Sequence, residues 1–289
     1  MAIATTRLMT SQGVIHVMQS SGQGLPIIML HGAAASSAAF QRQFAAPLAE
    51  AHRLVALDFL GHGKSSDATE PGRAYTYEGL AKSVGEVIDQ LAIERAVVFG
   101  WSLGGHAAID LMTWHPAVAG IVLTGTPPIQ RGPLGILRGF HFGRDNLLAS
   151  KPHFSDADAQ RFLTLCYGKD APVEFLEGIK RADGRQRKIV FSAMMRGDGI
   201  DQKRAVQDTS VPVAIINGSN EPIARLSYVA GLNYGNLWEG HCHVIEGAGH
   251  APFYTHPDVF NALLERFARD VAAIDALRRV GQKAYAAAG

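Results

Sequence analysis

No run of about 18 apolar residues occurs in the chain, which excludes an ordinary membrane-spanning helix. The opening residues, MAIATTRLMTSQG, hold no basic segment followed by an apolar stretch, so no secretory signal is read there. Cysteine is scarce: Cys166 and Cys242 are the only two, and they lack a paired spacing. A disulfide framework is therefore not expected, and a reducing cytoplasm is the expected location. Neither sign of charge dominates, with 27 Lys and Arg against 26 Asp and Glu. No basic block appears, so neither nucleic acid nor an anionic membrane is an expected partner. The phosphate-loop pattern G-x-x-x-x-G-K-[ST] and the dinucleotide pattern G-x-G-x-x-G are both absent.

What is present is an ordinary globular composition, 47% hydrophobic and 18% charged over 289 residues, enough to bury a large core. Short apolar runs alternate with helical patterns. GVIHVMQS (13–20) alternates with period two, as a half-buried strand does. LPIIMLHG (25–32), RLVALDFLG (53–61), RAVVFGW (95–101) and GIVLTG (120–125) are continuously apolar, as strands covered on both faces are. VPVAIINGS (211–219) and HCHVIEGAG (241–249) complete the strand-like set. Residues 76–91, 103–115 and 257–271 carry apolar residues at helical spacing. Strands alternating with helices predict a mostly parallel sheet with helices on both faces. The closeness of 13–20 and 25–32 suggests an antiparallel hairpin at one edge. The Ala-rich end, 284–289, is expected to fray.

The rhythm breaks between Pro127 and about Asp208. That segment is far longer than one crossover needs, helical in flavour and rich in Phe and Met. The expected division is a core of residues 1–127 and 209–289 with a helical cap, 128–208, over the strand C-termini, where ligand sites in such sheets lie.

The segment VVFGWSLGGH (97–106) places Ser102 at the junction of a strand and a helix. G-W-S-L-G fits G-x-S-x-G, a sharp turn that lifts a serine hydroxyl out of the sheet and aims a helix N-terminus at the same spot. A serine hydroxyl needs a base, and the base needs an orienting acid. His250, in EGAGHAPF after the last strand, is the expected base. Glu221, three residues beyond Gly218, is the expected acid. The expected oxyanion donors are the backbone N–H groups of Leu103 and Ala33, the latter in the loop HGAAASS. Asp58 and His62 of DFLGHGKS read as architectural. His241 and His243 alternate on a strand and could share a metal, but no acidic or histidine partner lies at a recognisable spacing. No metal or organic cofactor is expected.

HG (31–32), D-x-x-G-H-G-x-S (58–65), G-W-S-L-G-G (100–105) and G-x-G-H-A-P (247–252) resemble the α/β-hydrolase superfamily in order and spacing, along nearly the whole chain. The resemblance implies the α/β-hydrolase fold: an eight-stranded, mostly parallel sheet with an inserted helical cap. Serine at the nucleophile position separates the chain from the branches that use aspartate. TGTPP (124–128), DGR (183–185), NGSNEP (217–222) and NLWEG (236–240) further resemble the metal-independent N-acyl-homoserine lactonases. That resemblance implies a small-molecule substrate with an acyl chain, opened by a Ser-His-Glu triad. The chain departs from that group at Ala33, where the group has asparagine. The counterpart of the group's cap tyrosine falls near Phe162 or Tyr167, and Met194 and Met195 are the adaptable apolar side chains expected against an acyl chain. The same triad would also serve a general carboxylesterase, another lactonase or a carbon–carbon bond hydrolase. A small-molecule receptor on a hydrolase fold is the alternative outside catalysis.

Overall fold

A computed structural model describes the backbone of residues 3–288 and the side chains of residues 3–277. The Ala-rich end at 284–289 lies outside the residues whose side chains are described. Eight strands form one sheet: β1 (Ala4–Thr10), β2 (Gly13–Gln19), β3 (Gly24–Leu30), β4 (His52–Leu57), β5 (Ala96–Trp101), β6 (Val118–Thr124), β7 (Val213–Gly218) and β8 (His243–Ile245). Their spatial order is β1-β2-β4-β3-β5-β6-β7-β8. β2 is antiparallel to both of its neighbours, β1 and β4, and every other pairing is parallel.

Helices of seven residues or more are numbered α1 (Tyr77–Gln90), α2 (Leu103–Met112), α3 (Pro133–Gly139), α4 (Asp156–Tyr167), α5 (Val173–Arg181), α6 (Gly184–Arg196), α7 (Gln202–Asp208) and α8 (Pro257–Ala288). The pleat explains why the central strands are apolar throughout. In β3, Ile27 and Met29 face one core layer while Ile28 and Leu30 face the other; β5 divides Val97 and Phe99 from Ala96 and Val98 in the same way. Phe260, Leu264 and Phe267 of α8 cover the first face. Leu80, Val84, Val87 and Ile88 of α1, with Ile109 and Leu111 of α2, cover the second.

The edge hairpin is not the one the sequence suggested. β2 turns back on β1, an N-terminal strand the apolar pattern did not reveal, and β3 lies between β4 and β5, parallel to both. The continuous apolar run of β3 needs cover on both faces, which an edge cannot supply. β1 is mostly exposed and carries Thr5, Thr6 and Arg7, so hydrophobicity does not mark it. The strand read over 241–249 is only three residues long, because the glycines at 247 and 249 belong to a turn.

Between β6 and β7 the chain forms α3 to α7, with a short 3-10 turn at Asn146–Ser150. Asp183 ties this segment to the core. Its backbone N–H donates to Gly61 O (2.7 Å), and its carboxylate accepts from Tyr75 Oη (2.8 Å) while capping α6 through Arg185 N (3.0 Å). Arg181 adds a hydrogen bond to Ser65 O at 2.9 Å. Among the described residues, no helix is long and apolar enough to cross a membrane.

Candidate active site

The turn from β5 into α2 is built by three glycines. A Cβ at Gly100 would lie 2.4 Å from Gly105 Cα, one at Gly104 would lie 2.1 Å from Leu30 O, and one at Gly105 would lie 2.1 Å from Thr126 Oγ1. Strand and helix are thus in backbone contact, a separation that only glycine allows. The bend falls on Ser102, at φ 53 and ψ −117. This is a conformation that L-residues adopt only where the surroundings impose it. Gly104→Ala is expected to lower the unfolding free energy by about 1–3 kcal/mol, since its methyl meets backbone rather than a side chain that can swing away. Urea denaturation checks this; an unchanged midpoint would mean that α2 can slide away from β3.

Ser102 and His250 line the same cleft. His250 is buried, and its Nδ1 lies 2.8 Å from both carboxylate oxygens of Glu221. Glu221 Oε1 also accepts from the N–H groups of Ile223 (2.7 Å) and Ala224 (3.1 Å). Burial opposes ionisation of this carboxyl, but the attraction of His250, its hydrogen bond and the two backbone donors together hold Glu221 below the usual glutamate range. An ionised Glu221 favours a proton on His250 Nδ1 and leaves Nε2 as the basic nitrogen. Trp101 Nε1 donates to His250 O at 2.9 Å and fixes the loop from behind.

Ala33 and Leu103 border the same cleft. Leu103 opens α2, where a helix has N–H groups without internal acceptors. No described residue accepts a hydrogen bond from Ala33 N–H. The loop that presents it is held by two histidines. His31 Nε2 accepts from Phe59 N at 3.0 Å, and His62 Nε2 accepts from Ala34 N at 3.2 Å. Asp58 accepts from Ser37 N (2.6 Å) and Lys64 N (2.8 Å). Asp58 and His62 thus join the two glycine-containing loops to each other.

The cleft and its open mouth together span about 940 Å³. Its walls are apolar side chains from the segment between β6 and β7, among them Ile136, Phe140, Phe162, Val190 and Met194, with Tyr77 and His106 contributed by the core. Two residues expected here lie elsewhere. Tyr167 borders a second cleft, which His250 also lines, and packs against Trp101, Phe175 and Tyr254. Met195 is 42% exposed to solvent. Helical rotation accounts for both, because one residue past Cys166 in α4, or past Met194 in α6, turns the side chain by about 100°.

Sequence reading also passed over residues that shape the site. Thr126 Oγ1 donates to Ser102 O (2.9 Å), and Asn217 Oδ1 accepts from Gly125 N (2.7 Å). Gly125 has φ 59, and a Cβ there would strike the His250 ring at 2.5 Å. Both lie inside the TGTPP and NGSNEP segments, whose small polar residues at strand ends were the available signal. A third grouping brings Glu239 to His241 and His243, with one ligand atom from each lying within 4.8 Å of the others. The acidic partner that the sequence pattern did not offer sits two residues ahead of the pair.

The sequence profile of the alpha/beta hydrolase family matches residues 27–263, and the chain belongs to that family. Among curated relatives, it is 28% identical over 267 residues to a pimeloyl-[acyl-carrier protein] methyl ester esterase of Nitrosospira multiformis, covering 87% of this chain and 97% of that one. It is 25% identical over 275 residues to the AB hydrolase superfamily protein YisY of Bacillus subtilis, covering 89% and 97%. Among solved structures, it is 41% identical to the N-acyl homoserine lactonase AidH complexed with N-butanoyl homoserine, with TM-score 0.91 and coverage of 93% and 97%. A serine-to-glycine variant of AidH, complexed with N-hexanoyl homoserine lactone, matches at the same identity and TM-score.

Proposed function

We propose that this protein is a serine hydrolase that opens the lactone ring of N-acyl-homoserine lactones. The observation that carries the reading is the joining of Ser102 and the His250–Glu221 pair to a cleft walled by apolar side chains, the chemistry an acyl chain requires. The similarity to AidH over almost the whole chain supports the same substrate class.

In this mechanism His250 Nε2 takes the Ser102 hydroxyl proton as Oγ bonds to the lactone carbonyl carbon. The Ala33 and Leu103 N–H groups stabilise the tetrahedral oxyanion, each worth about 10²–10³ in kcat. The ring C–O bond then breaks, and the imidazolium protonates the departing oxygen. The leaving alcohol stays tethered to the acyl-enzyme and can close the ring again, so water must reach the ester before it does. His250 deprotonates that water. The products are an N-acyl-homoserine, whose new acid ionises in water, and free Ser102. Segment 128–208 acts as the cap, placing Phe162 and Met194 beside the acyl chain.

Mass spectrometry of N-hexanoyl-homoserine lactone incubated with the protein near pH 6.5 tests the reading. The expected result is a product heavier by one water, formed with a higher kcat/KM than cleavage of p-nitrophenyl butyrate. Efficient cleavage of the aryl ester with the lactone untouched would move the function to a carboxylesterase. Ala33 favours that second reading, since a methyl group offers the lactone no side-chain hydrogen bond.

A further inference from the structure

Glu239, His241 and His243 lie beside β8, and His243 opens that strand whereas His250 follows its C-terminal end. Glu239 adopts φ 54 and Gly240 φ 71. Two successive left-handed residues fold the chain back, bringing the carboxylate round to the histidines. The imidazole rings of His241 and His243 stand 4.2 Å apart, centre to centre. We propose that these three side chains form a peripheral binding site for a divalent transition-metal ion of the zinc class, separate from the catalytic cleft.

Three observations carry this assignment. First, one carboxylate oxygen and one ring nitrogen from each histidine converge within 4.8 Å, so small rotations bring all three onto one ion, with water free to complete a tetrahedron. Second, the His243 side chain is nine-tenths buried, and its Nε2 has no hydrogen-bond partner although Glu239 Oε2 is 3.3 Å away. A nitrogen and a carboxylate oxygen at that separation, without an aligned hydrogen bond, are spaced as two ligands of one tetrahedral ion are. Third, His241 Nδ1 lies 3.0 Å from Glu239 O. Donation of its N–H to that carbonyl leaves Nε2 with the free lone pair, the arrangement in which metal-bound histidines are held.

The surrounding groups are compatible with an ion. Arg266 Nη2 donates to Glu239 Oε2 at 2.9 Å, and a carboxylate retains further lone pairs for a metal. Imidazole with carboxylate suits zinc, nickel or copper rather than calcium or magnesium, which prefer all-oxygen shells. A bound ion would clamp the turn before β8 to the strand itself.

The test is calorimetric titration of zinc chloride into chelator-stripped, untagged full-length protein, beside His241→Ala and the double variant His241→Ala/His243→Ala. The expected result is one high-affinity equivalent in wild type, about tenfold or more weaker in the single variant and lost in the double. Wild type should gain the most thermal stability with zinc, the single variant less and the double variant none. Equal binding by all three proteins, or no binding by wild type, would overturn the site. Far-UV circular dichroism reports whether the variants fold. His241 is exposed, so its replacement removes a ligand without opening the core. Hydrolysis should survive chelator and both substitutions, so the outcome is independent of the lactonase reading.

Discussion

Ser102→Ala is expected to lower kcat/KM for lactone hydrolysis by about 10⁴-fold or more while leaving the unfolding free energy nearly unchanged. The two halves of the expectation have separate causes. The hydroxyl is the only atom lost, and with it goes the bond to the acyl group through which the whole proposed reaction runs. A residual rate from oxyanion binding and substrate positioning is what a triad enzyme keeps after losing its nucleophile. The fold should not notice, because the Ser102 side chain does not cap α2 and its backbone strain is the same for alanine. Steady-state kinetics by mass spectrometry and urea denaturation of the same preparation check both halves. Activity within tenfold of wild type would remove Ser102 from the mechanism. A collapse of stability would make it a structural residue of the turn.

The unfolding free energy is expected to fall as the pH is lowered from 7.5 to 5.5. His31, His62 and His106 are all buried. Desolvation holds each below the ordinary histidine value of 6.5: the His31 pKa is lowered despite the attraction of Asp58, that of His62 is driven well below with His31 adding to the effect, and that of His106 comes down to about 4. Below pH 6.5 the unfolded chain therefore takes up protons that the folded chain refuses. Stability is complete above the unfolded pKa and is lost as the pH drops toward the folded values. Between pH 6.5 and 5.5, His106 should remove about 1 kcal/mol, with His62 and His31 acting in the same direction. Glu221 continues the trend at lower pH, since a carboxyl held below its usual range stabilises above that range and ceases to as it protonates. Urea midpoints at pH 7.5, 6.5 and 5.5 measure the slope. A flat profile would mean that these rings accept protons without unfolding.

The same rings connect stability to chemistry. His31 and His62 use Nε2 as an acceptor for Phe59 N and Ala34 N. A proton on either Nε2 breaks the contact that holds the loop presenting Ala33. The HG and GHG segments, which mark the fold in the sequence, are therefore supports of the loop that carries Ala33.

Much of the site was legible in the chain itself where the physics is local. The elbow at Ser102 is spelled by glycines that permit backbone contact within six residues. The central strands announce themselves because double burial demands uninterrupted apolar runs. β1 was not legible, because an exposed edge strand needs little hydrophobicity. Nor were the positioning roles of Thr126 and Asn217, since a small polar residue after a strand looks alike whether it faces solvent or a neighbouring carbonyl.

Tertiary structure alone decided which side chains share a surface. The pairing of Glu221 with His250 joins loops that follow two adjacent strands, β7 and β8, and needs both registers to be right. Phe162 and Met194 reach the cleft while Tyr167 and Met195 do not, a choice made by the rotation of α4 and α6 against the sheet. Glu239 meets two histidines only because a left-handed turn reverses the chain. Backbone chemistry acts over a few residues and can be read in order along the sequence. Contacts between distant segments depend on how helices and loops pack, and a one-residue rotation there moves a side chain from the cleft to solvent.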